Sequence, residues 1–245
     1  MYTLDVAPGV HALTRAATAC YLVDADEDGL LLVDAGLPAF WSDLTGLLRR
    51  LGRSPRDIRH VVLTHAHFDH LGVAKRLERS GAQVWVHPGD LRIARHPYRY
   101  VPGRARAAYP VRHPSALPHL ASMVGAGALW VRGVAEPRTY DEDLPFAETL
   151  TVVPTPGHTD GHVVVVLPDR DAVATGDALV TLDPYTGRRG PRIVARAGTH
   201  DADRAQASLD AIAATGAQVV LPGHGDVWRE GAGAAAERAR AQPVA

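Results

Sequence analysis

The sequence predicts an α/β layered fold, and three observations carry that expectation. The first forty of its 245 residues are a succession of short strand-like runs. Beyond them the apolar spacing alternates between the two-residue period of strands and the 3.6-residue period of helices. Side chains with metal-binding or acid–base chemistry cluster directly after the strand-like runs, on the rim where sheets of this class carry their sites. A β-rich start followed by β-α-β-α-β order implies helices laid over a partly parallel sheet.

In chain order, residues 2–6, 10–14, 18–23 and 30–34 are the opening strands, with the turn-forming Asp26-Glu27-Asp28-Gly29 between the last two. Leu30-Leu31-Leu32-Val33 has no polar alternation, which predicts a strand covered on both faces. From Pro38 to Gly52 apolar residues fall at Phe40, Trp41, Leu44, Leu47, Leu48 and Leu51, a helical spacing with proline near its start and glycine at its end. Ser54-Pro55-Arg56-Asp57 turns into a buried strand at 59–63. That strand discharges into Thr64-His65-Ala66-His67-Phe68-Asp69-His70, which is followed by a helix from Leu71 to about Ser80 and a strand at 83–87.

Residues 89–140 break this alternation. Arg92, Arg95, Arg99, Arg104 and Arg106, with Arg112 just beyond, stand in a stretch without acids, interleaved with Tyr98, Tyr100 and Tyr109. Residues 115–129 are mostly apolar and helical in character, contain Met123, and lead to Trp130. An insertion of this length serves as a lid, a substrate wall or an oligomer contact, so a homodimer is among the expected partners. A solvated basic loop beside a packed helix is the plainer alternative. Regularity returns with strands at 149–154, 162–167 and 171–175, a helix over 201–215, a strand at 218–221 and an alanine-rich helix over about 231–240. Without linker, low-complexity block or internal repeat, residues 1–245 are expected to form one domain with a lid-like insertion at about 89–140.

Composition narrows the function. Hydrophobic residues make up 46% of the chain, enough for a full core, and 26 basic against 27 acidic residues argue against a nucleic-acid partner. A single cysteine, Cys20, excludes an internal disulfide framework and a cysteine-built zinc cluster, and is expected to be a small buried hydrophobe. No run reaches membrane-spanning length, and Met1-Tyr2-Thr3-Leu4-Asp5 lacks a charged-then-apolar leader pattern. A cytoplasmic protein with a small-molecule substrate and no membrane partner is the expectation.

The chemistry-bearing residues are His65, His67, Asp69 and His70, then His158 after Gly157, Asp177 after Gly176, and His224 after Gly223. Imidazoles and carboxylates suit zinc and also accept iron or manganese. His-x-His-x-Asp-His followed in order by Gly-His, Gly-Asp and Gly-His resembles the metallo-β-lactamase-fold hydrolases, from Leu32-Val33-Asp34-Ala35-Gly36 through to His224. The resemblance implies a four-layer αββα sandwich and two zinc ions, one held by His65, His67 and His158, the other by Asp69, His70 and His224, with Asp177 bridging. It further implies a metal-bridging hydroxide as nucleophile near neutral pH. Asp69 would be the catalytic acid or base beside it, while one metal polarises the scissile carbonyl. Asp34 would hydrogen-bond behind the ligands, with turn capping as the alternative. His162 is expected to be structural, and His60, His87, His96, His113, His119 and His200 ordinary.

Within that family the expected reaction is cleavage of an ester, thioester or lactone of a small molecule. Zinc β-lactamases of the commonest subclass use a cysteine ligand, which this chain lacks. Glyoxalase II is similar in its ligand set but carries a C-terminal helical extension, whereas about twenty residues follow His224. The RNA-binding arm of the family's nucleases has no counterpart. Acyl-homoserine lactonases are similar in size and ligands and carry a tyrosine shortly after the bridging aspartate; Val180 and Leu182 stand there, and the nearest tyrosine is Tyr185. Substrate contacts are expected from Arg92, Arg95, Arg99, Tyr98 and Tyr185, with residues 115–130 accepting an acyl or alkyl chain and an arginine meeting a carboxylate. Two other readings stay open: a mononuclear iron oxidoreductase of the persulfide dioxygenase type, and a non-catalytic member that binds a small molecule.

Overall fold

The computed structural model describes residues 1–25, 29–105, 109–140, 143–145 and 150–245. The turn expected at Asp26-Glu27-Asp28, Arg106, and Thr149 at the start of its expected strand lie outside the described residues.

Strands β1 (Tyr2–Ala7), β2 (Val10–Arg15), β3 (Thr18–Asp24) and β4 (Leu30–Val33) pair antiparallel in succession, and β5 (Ile58–Val62) and β6 (Gln83–Trp85) continue the sheet parallel to β4. Parallel neighbours need a crossover, which α1 (Phe40–Arg50) and α2 (Ala74–Arg79) supply. A second sheet has the order β12-β9-β8-β7, from β7 (Thr151–Pro154), β8 (Val163–Leu167), β9 (Ala172–Gly176) and β12 (Val219–Pro222). Helix α6 (Ala202–Ala214) carries the crossover to β12, which is parallel to β9, and α7 (Ala232–Arg240) follows. A two-stranded pair, β10 (Val180–Leu182) and β11 (Arg189–Arg192), was not expected from the sequence. Runs this short, one of them Arg-Gly-Pro-Arg, show no strand period.

Three buried layers make the αββα sandwich. Leu30 and Leu32 face one way, into Leu44, Leu47, Leu48 and Leu77 of α1 and α2. Leu31 and Val33 face the other way, onto Val163, Val165 and Leu221 of the second sheet. The outer face of that sheet buries Val164, Val173 and Val220 against Leu209, Ile212 and Ala235. The unbroken apolar run in β4 is therefore covered on both faces, as its composition predicts.

One helix end is closed by the glycine expected there, and one helix start differs from expectation for a reason that matters to the site. Helix α1 closes in a left-handed glycine, Gly52 at φ +69°, with the Arg53 N–H donating to the Leu48 carbonyl at 2.8 Å. Helix α2 starts only at Ala74, because the preceding residues are pinned to the loop after β4. Gly72 N–H donates to the Gly36 carbonyl at 2.6 Å and Val73 N–H to Ala35 at 3.0 Å. A Cβ at Gly72 would overlap the Leu37 backbone, so only glycine permits this docking.

The 89–140 stretch contains α3 (Leu91–Arg95), α4 (Tyr109–Arg112) and α5 (Leu117–Gly125). The chain between α3 and α4 is tied down where Gly103 N–H donates to Thr199 O at 2.9 Å and Arg104 N–H to Arg196 O at 3.0 Å. No helix among the described residues is long and apolar enough to cross a membrane.

Candidate metal centre

The loops after β4, β5, β9 and β12 and the turn between β7 and β8 converge at one end of the sandwich, where the two sheets are joined by hydrogen bonds. Val163 N–H donates to Thr64 O at 2.8 Å, Ala19 N–H to Gly223 O at 2.8 Å, and the Tyr21 hydroxyl to Pro222 O at 2.7 Å. All seven residues of the expected ligand set are buried there. Ligand atoms of His65, His67 and His158 lie within 4.8 Å of one another, and so do those of Asp69, His70 and His224. These are the two groups the resemblance implies. Asp177 reaches both: its Oδ2 is 3.4 Å from His158 Nε2 and 3.2 Å from His224 Nε2, and its Oδ1 is 3.4 Å from His70 Nε2. Asp69 Oδ2 lies 3.4 Å from His224 Nε2. Gly223 makes room for this packing, since a Cβ there would collide with Asp177 Oδ1 and crowd the His70 ring.

The partners behind the rings decide which nitrogen carries a lone pair. Asp34, with backbone φ +59°, accepts from Thr64 N–H and from the Thr64 hydroxyl, each at 2.8 Å, and from His70 Nδ1 at 2.8 Å. Because the Thr64 hydroxyl donates to Asp34, its oxygen is left to accept from His65 Nδ1 at 3.1 Å. The Thr199 hydroxyl likewise donates to Val194 O at 2.8 Å and accepts from His158 Nδ1 at 3.2 Å. His224 Nδ1 donates to the Ala17 carbonyl at 2.8 Å. In four histidines Nδ1 is committed to an acceptor outside the cluster and Nε2 faces inward, so Nε2 is the nitrogen each ring would offer a metal ion. His67 instead brings Nδ1 to 2.9 Å from His158 Nε2.

A cation fits this cluster. Among the described residues, His65 Nε2, His70 Nε2 and Asp177 Oδ1 are buried polar atoms without a hydrogen-bond partner. Each such atom costs about 1–3 kcal/mol unless something binds it. Electrostatics point the same way. Burial lowers His65 and brings His158 down to about 4, so both are neutral at pH 7 and available as ligands. Burial also opposes charge on His70 and His224, but Asp34 and Asp177 hold His70 well above the usual range, and Asp177 and Asp69 raise His224 to about 10. Asp177 stays ionised well below the usual carboxylate range, against its burial, through His224 and His70. Buried carboxylates that draw protons onto neighbouring imidazoles would draw a metal ion in their place.

Sequence reasoning missed Asp90. It is fully buried in the turn after β6, where its Oδ2 accepts from Ala66 N–H at 2.9 Å and from the Thr159 hydroxyl at 2.8 Å, and its Oδ1 accepts from Gly161 N–H at 2.9 Å. It thereby clamps the His65–His67 turn to the turn carrying His158. Gly89 and Gly161 allow the approach, because a Cβ on Gly89 would lie 2.9 Å from Gly161 Cα. A glycine–acid pair just after a strand, as in Gly176-Asp177, was the available signal. His162 is structural. Its Nδ1 meets the Thr155 hydroxyl at 2.9 Å, and its Nε2 accepts from the N–H groups of Asp177 and Ala178 at 3.1 and 3.2 Å, fixing the backbone of Asp177.

A cavity of about 280 Å³ opens over the cluster, floored by His67, Asp69, His158, Asp177 and His224. Leu120, Met123, Val124, Ala128 and Leu129 form one apolar wall, and Tyr185 also lines the cavity. Tyr98 lines it with its ring only. Its hydroxyl is taken up internally, donating to Ala128 O at 2.8 Å and accepting from Val131 N–H at 2.8 Å. Arg92 and Arg99 border a second cavity of about 270 Å³ on the other side of Tyr100. Arg95, exposed at the end of α3, borders neither, which corrects its expected role. Tyr100 and His200, not singled out from the sequence, are also cavity residues.

Residues 13–224 match the sequence profile of a family described as the metallo-beta-lactamase superfamily. The chain is 23% identical over 232 residues to the probable metallo-hydrolase YflN of Bacillus subtilis, covering 90% of this chain and 85% of that one. It is 30% identical over 185 residues to the N-acyl homoserine lactonase AttM of Azorhizobium caulinodans, covering 74% and 64%. Among solved structures it is similar to a metallo-beta-lactamase family protein of Thermus thermophilus, with TM-score 0.69, 26% identity, and 96% and 79% of the two chains covered. It also resembles the protein TTHA1623 in a di-iron-bound form, with TM-score 0.61, 25% identity, and 89% and 93% covered.

Proposed function

The chain belongs to the metallo-beta-lactamase superfamily, and from that premise we propose that it is a dinuclear zinc hydrolase that cleaves an ester, thioester or lactone of a small molecule. One observation carries the proposal: seven buried ligand residues converge with three unpartnered atoms among them, at the floor of a cavity with an apolar wall. The similarity to an N-acyl homoserine lactonase supports the bond class. The di-iron form of a structural relative favours iron as the alternative metal.

His65, His67 and His158 would hold one ion and Asp69, His70 and His224 the other, with Asp177 between them. Two divalent ions, when bound, supply a water of near-neutral pKa and Lewis acidity towards a carbonyl. The chain's residues do the rest. Asp34, Thr64, Thr199 and the Ala17 carbonyl keep four imidazoles in the tautomer whose Nε2 faces inward. Asp69 stands at the cavity floor with its carboxyl held below the usual range by His224 and His70, against its burial. As an ionised acceptor it orients an attacking water and takes up its proton. The wall from Leu120 to Leu129 in the 89–140 insertion excludes water from the acyl part of the substrate.

Elemental analysis of the purified protein, followed by assays on lactones, thioesters and esters, tests this. About two zinc or iron ions per chain are expected, with one iron per chain favouring the oxidoreductase reading. His67→Ala and Asp177→Ala should each lose more than the ~10–100-fold that removal of an outer partner of a metal ligand costs. Turnover surviving in both variants would refute the assignment.

A further inference from the structure

The two cavities share three lining residues, His67, Tyr100 and His158. Tyr100 stands between them with its ring 3.9 Å from the His67 ring, centroid to centroid. On one side the lining is the apolar wall of α5 and the residues after it. On the other it is Arg92, Arg99 and His200, with the Thr159–Asp160 turn below. The acids on that side are already engaged: Asp90 accepts from three donors, and Asp160 lies 3.3 Å from Arg204. Among the described residues neither the Arg92 nor the Arg99 guanidinium has an ion-pair partner. With Arg204 on Asp160, three guanidiniums stand against the two carboxylates of Asp90 and Asp160 around a polar recess that reaches two of the metal-group histidines, and the two unpaired ones, Arg92 and Arg99, line it.

The geometry points to a two-lobed substrate site, in which the apolar lobe takes an acyl chain and the arginine lobe takes an oxyanion, a carboxylate or phosphate, carried by the group on the far side of the scissile bond. This rests on the hydrolase reading above. Tyr100 is the divider that places the reacting bond over the metal groups while the two ends of the substrate lie in lobes of opposite character. A planar guanidinium fork suits either anion. Both arginines are exposed, so their combined effect is modest and sensitive to salt. The group that leaves would be the anionic thiol or alcohol: water supplies oxygen to the new carboxylic acid, and the cleaved sulfur or oxygen takes up the proton.

The test compares octanoyl thioesters of 3-mercaptopropionate, of 2-mercaptoethyl phosphate and of neutral propanethiol, followed by thiol release. The wild type should show kcat/KM several-fold to roughly tenfold higher for an anionic thioester than for the neutral one, a ratio that shrinks in about 0.5 M salt. A preference for either anion upholds the inference and identifies the group. The Arg92→Ala/Arg99→Ala double variant should bring the ratio to about one, whereas Arg95→Ala, whose residue borders neither lobe, should keep it. A wild-type ratio of one, or a ratio that survives in the double variant, overturns the arginine lobe and leaves the hydrolase reading standing. If no thioester is cleaved, calorimetric titration with the non-hydrolysable S-octyl-3-mercaptopropionate decides. Weaker binding to the double variant than to the wild type upholds the lobe while only the thioester branch of the hydrolase reading falls; equal binding overturns the lobe.

Discussion

Replacing Asp90 by asparagine tests whether the metal groups depend on a clamp outside their own ligands. The carboxylate accepts three bonds, from Ala66 N–H, Gly161 N–H and the Thr159 hydroxyl, and all three donors are held at 2.8–2.9 Å in the interior. Asparagine keeps one oxygen acceptor. The Thr159 hydroxyl can rotate to accept from the new amide, but a backbone N–H cannot, so one buried donor is left facing the amide nitrogen. Leaving one such donor unsatisfied costs about 1–3 kcal/mol, and at about 2–4 °C per kcal/mol for a chain of this size Tm falls by several degrees. The clamp joins the turn of His65 and His67 to the turn of His158, so its loosening also separates one ligand group. Loss of an outer partner typically lowers metal affinity by roughly 10–100-fold. Zinc affinity from chelator competition and Tm of the metal-free protein are measured side by side. A lowered Tm with unchanged affinity would make Asp90 a fold residue only, and no change in either would refute the clamp.

The metal-free protein should be most stable near pH 6.5. Below it the unfolded chain takes up protons that His158, held at about 4 chiefly by burial, refuses; above it the unfolded chain releases protons that His224, raised to about 10 against burial by Asp177 and Asp69, retains. Stability is therefore lost as pH falls from about 6.5 towards 4 and as it rises from about 6.5 towards 10, and urea midpoints of chelated protein across that range check both arms. Gly223→Ala should reduce bound metal without unfolding the chain, because the added Cβ meets Asp177 Oδ1 and the His70 ring. Full metal occupancy in that variant would count against the packing described. Leu129→Asp, on the apolar wall, should raise KM for octanoyl esters while leaving acetyl esters little affected, and an equal effect on both would remove the wall from substrate binding.

The parts of this molecule that could be read from the sequence are those whose cause is local. Leu30-Leu31-Leu32-Val33 announces a doubly covered strand because every residue needs an apolar neighbour. His65, His67, Asp69 and His70 announce a metal group because four such side chains in one turn have no packing use. The partners that make these residues ligands were not legible, because contacts across the fold create them. Ala17 acts through a backbone carbonyl 207 positions from His224. Thr199 orients His158 only because its own hydrogen is committed to Val194. The insertion shows the same limit. Tyr98, Arg92, Arg95 and Arg99 looked equivalent as a basic, aromatic stretch, yet the fold takes the Tyr98 hydroxyl into a loop, leaves Arg95 outside both cavities, and puts Tyr100 against His67.

The division of ligands between the sheets carries a consequence for how the site and the fold depend on each other. The loops of the six-stranded sheet supply Asp34, His65, His67, Asp69 and His70, and those of the four-stranded sheet supply His158, Asp177 and His224. Neither sheet holds either of the two implied metal groups complete: His65 and His67 need His158, Asp69 and His70 need His224, and Asp177 crosses to both. Binding energy at the metal groups is therefore spent on holding the two sheets in register, through the same end of the sandwich that Val163, Ala19 and Tyr21 join by hydrogen bonds. Those direct bonds join the sheets independently of the ligand side chains, whose imidazoles are turned inward by their outer partners. The buried, unpartnered atoms of His65, His70 and Asp177 lie at that junction, where one ion would bind groups from both sheets.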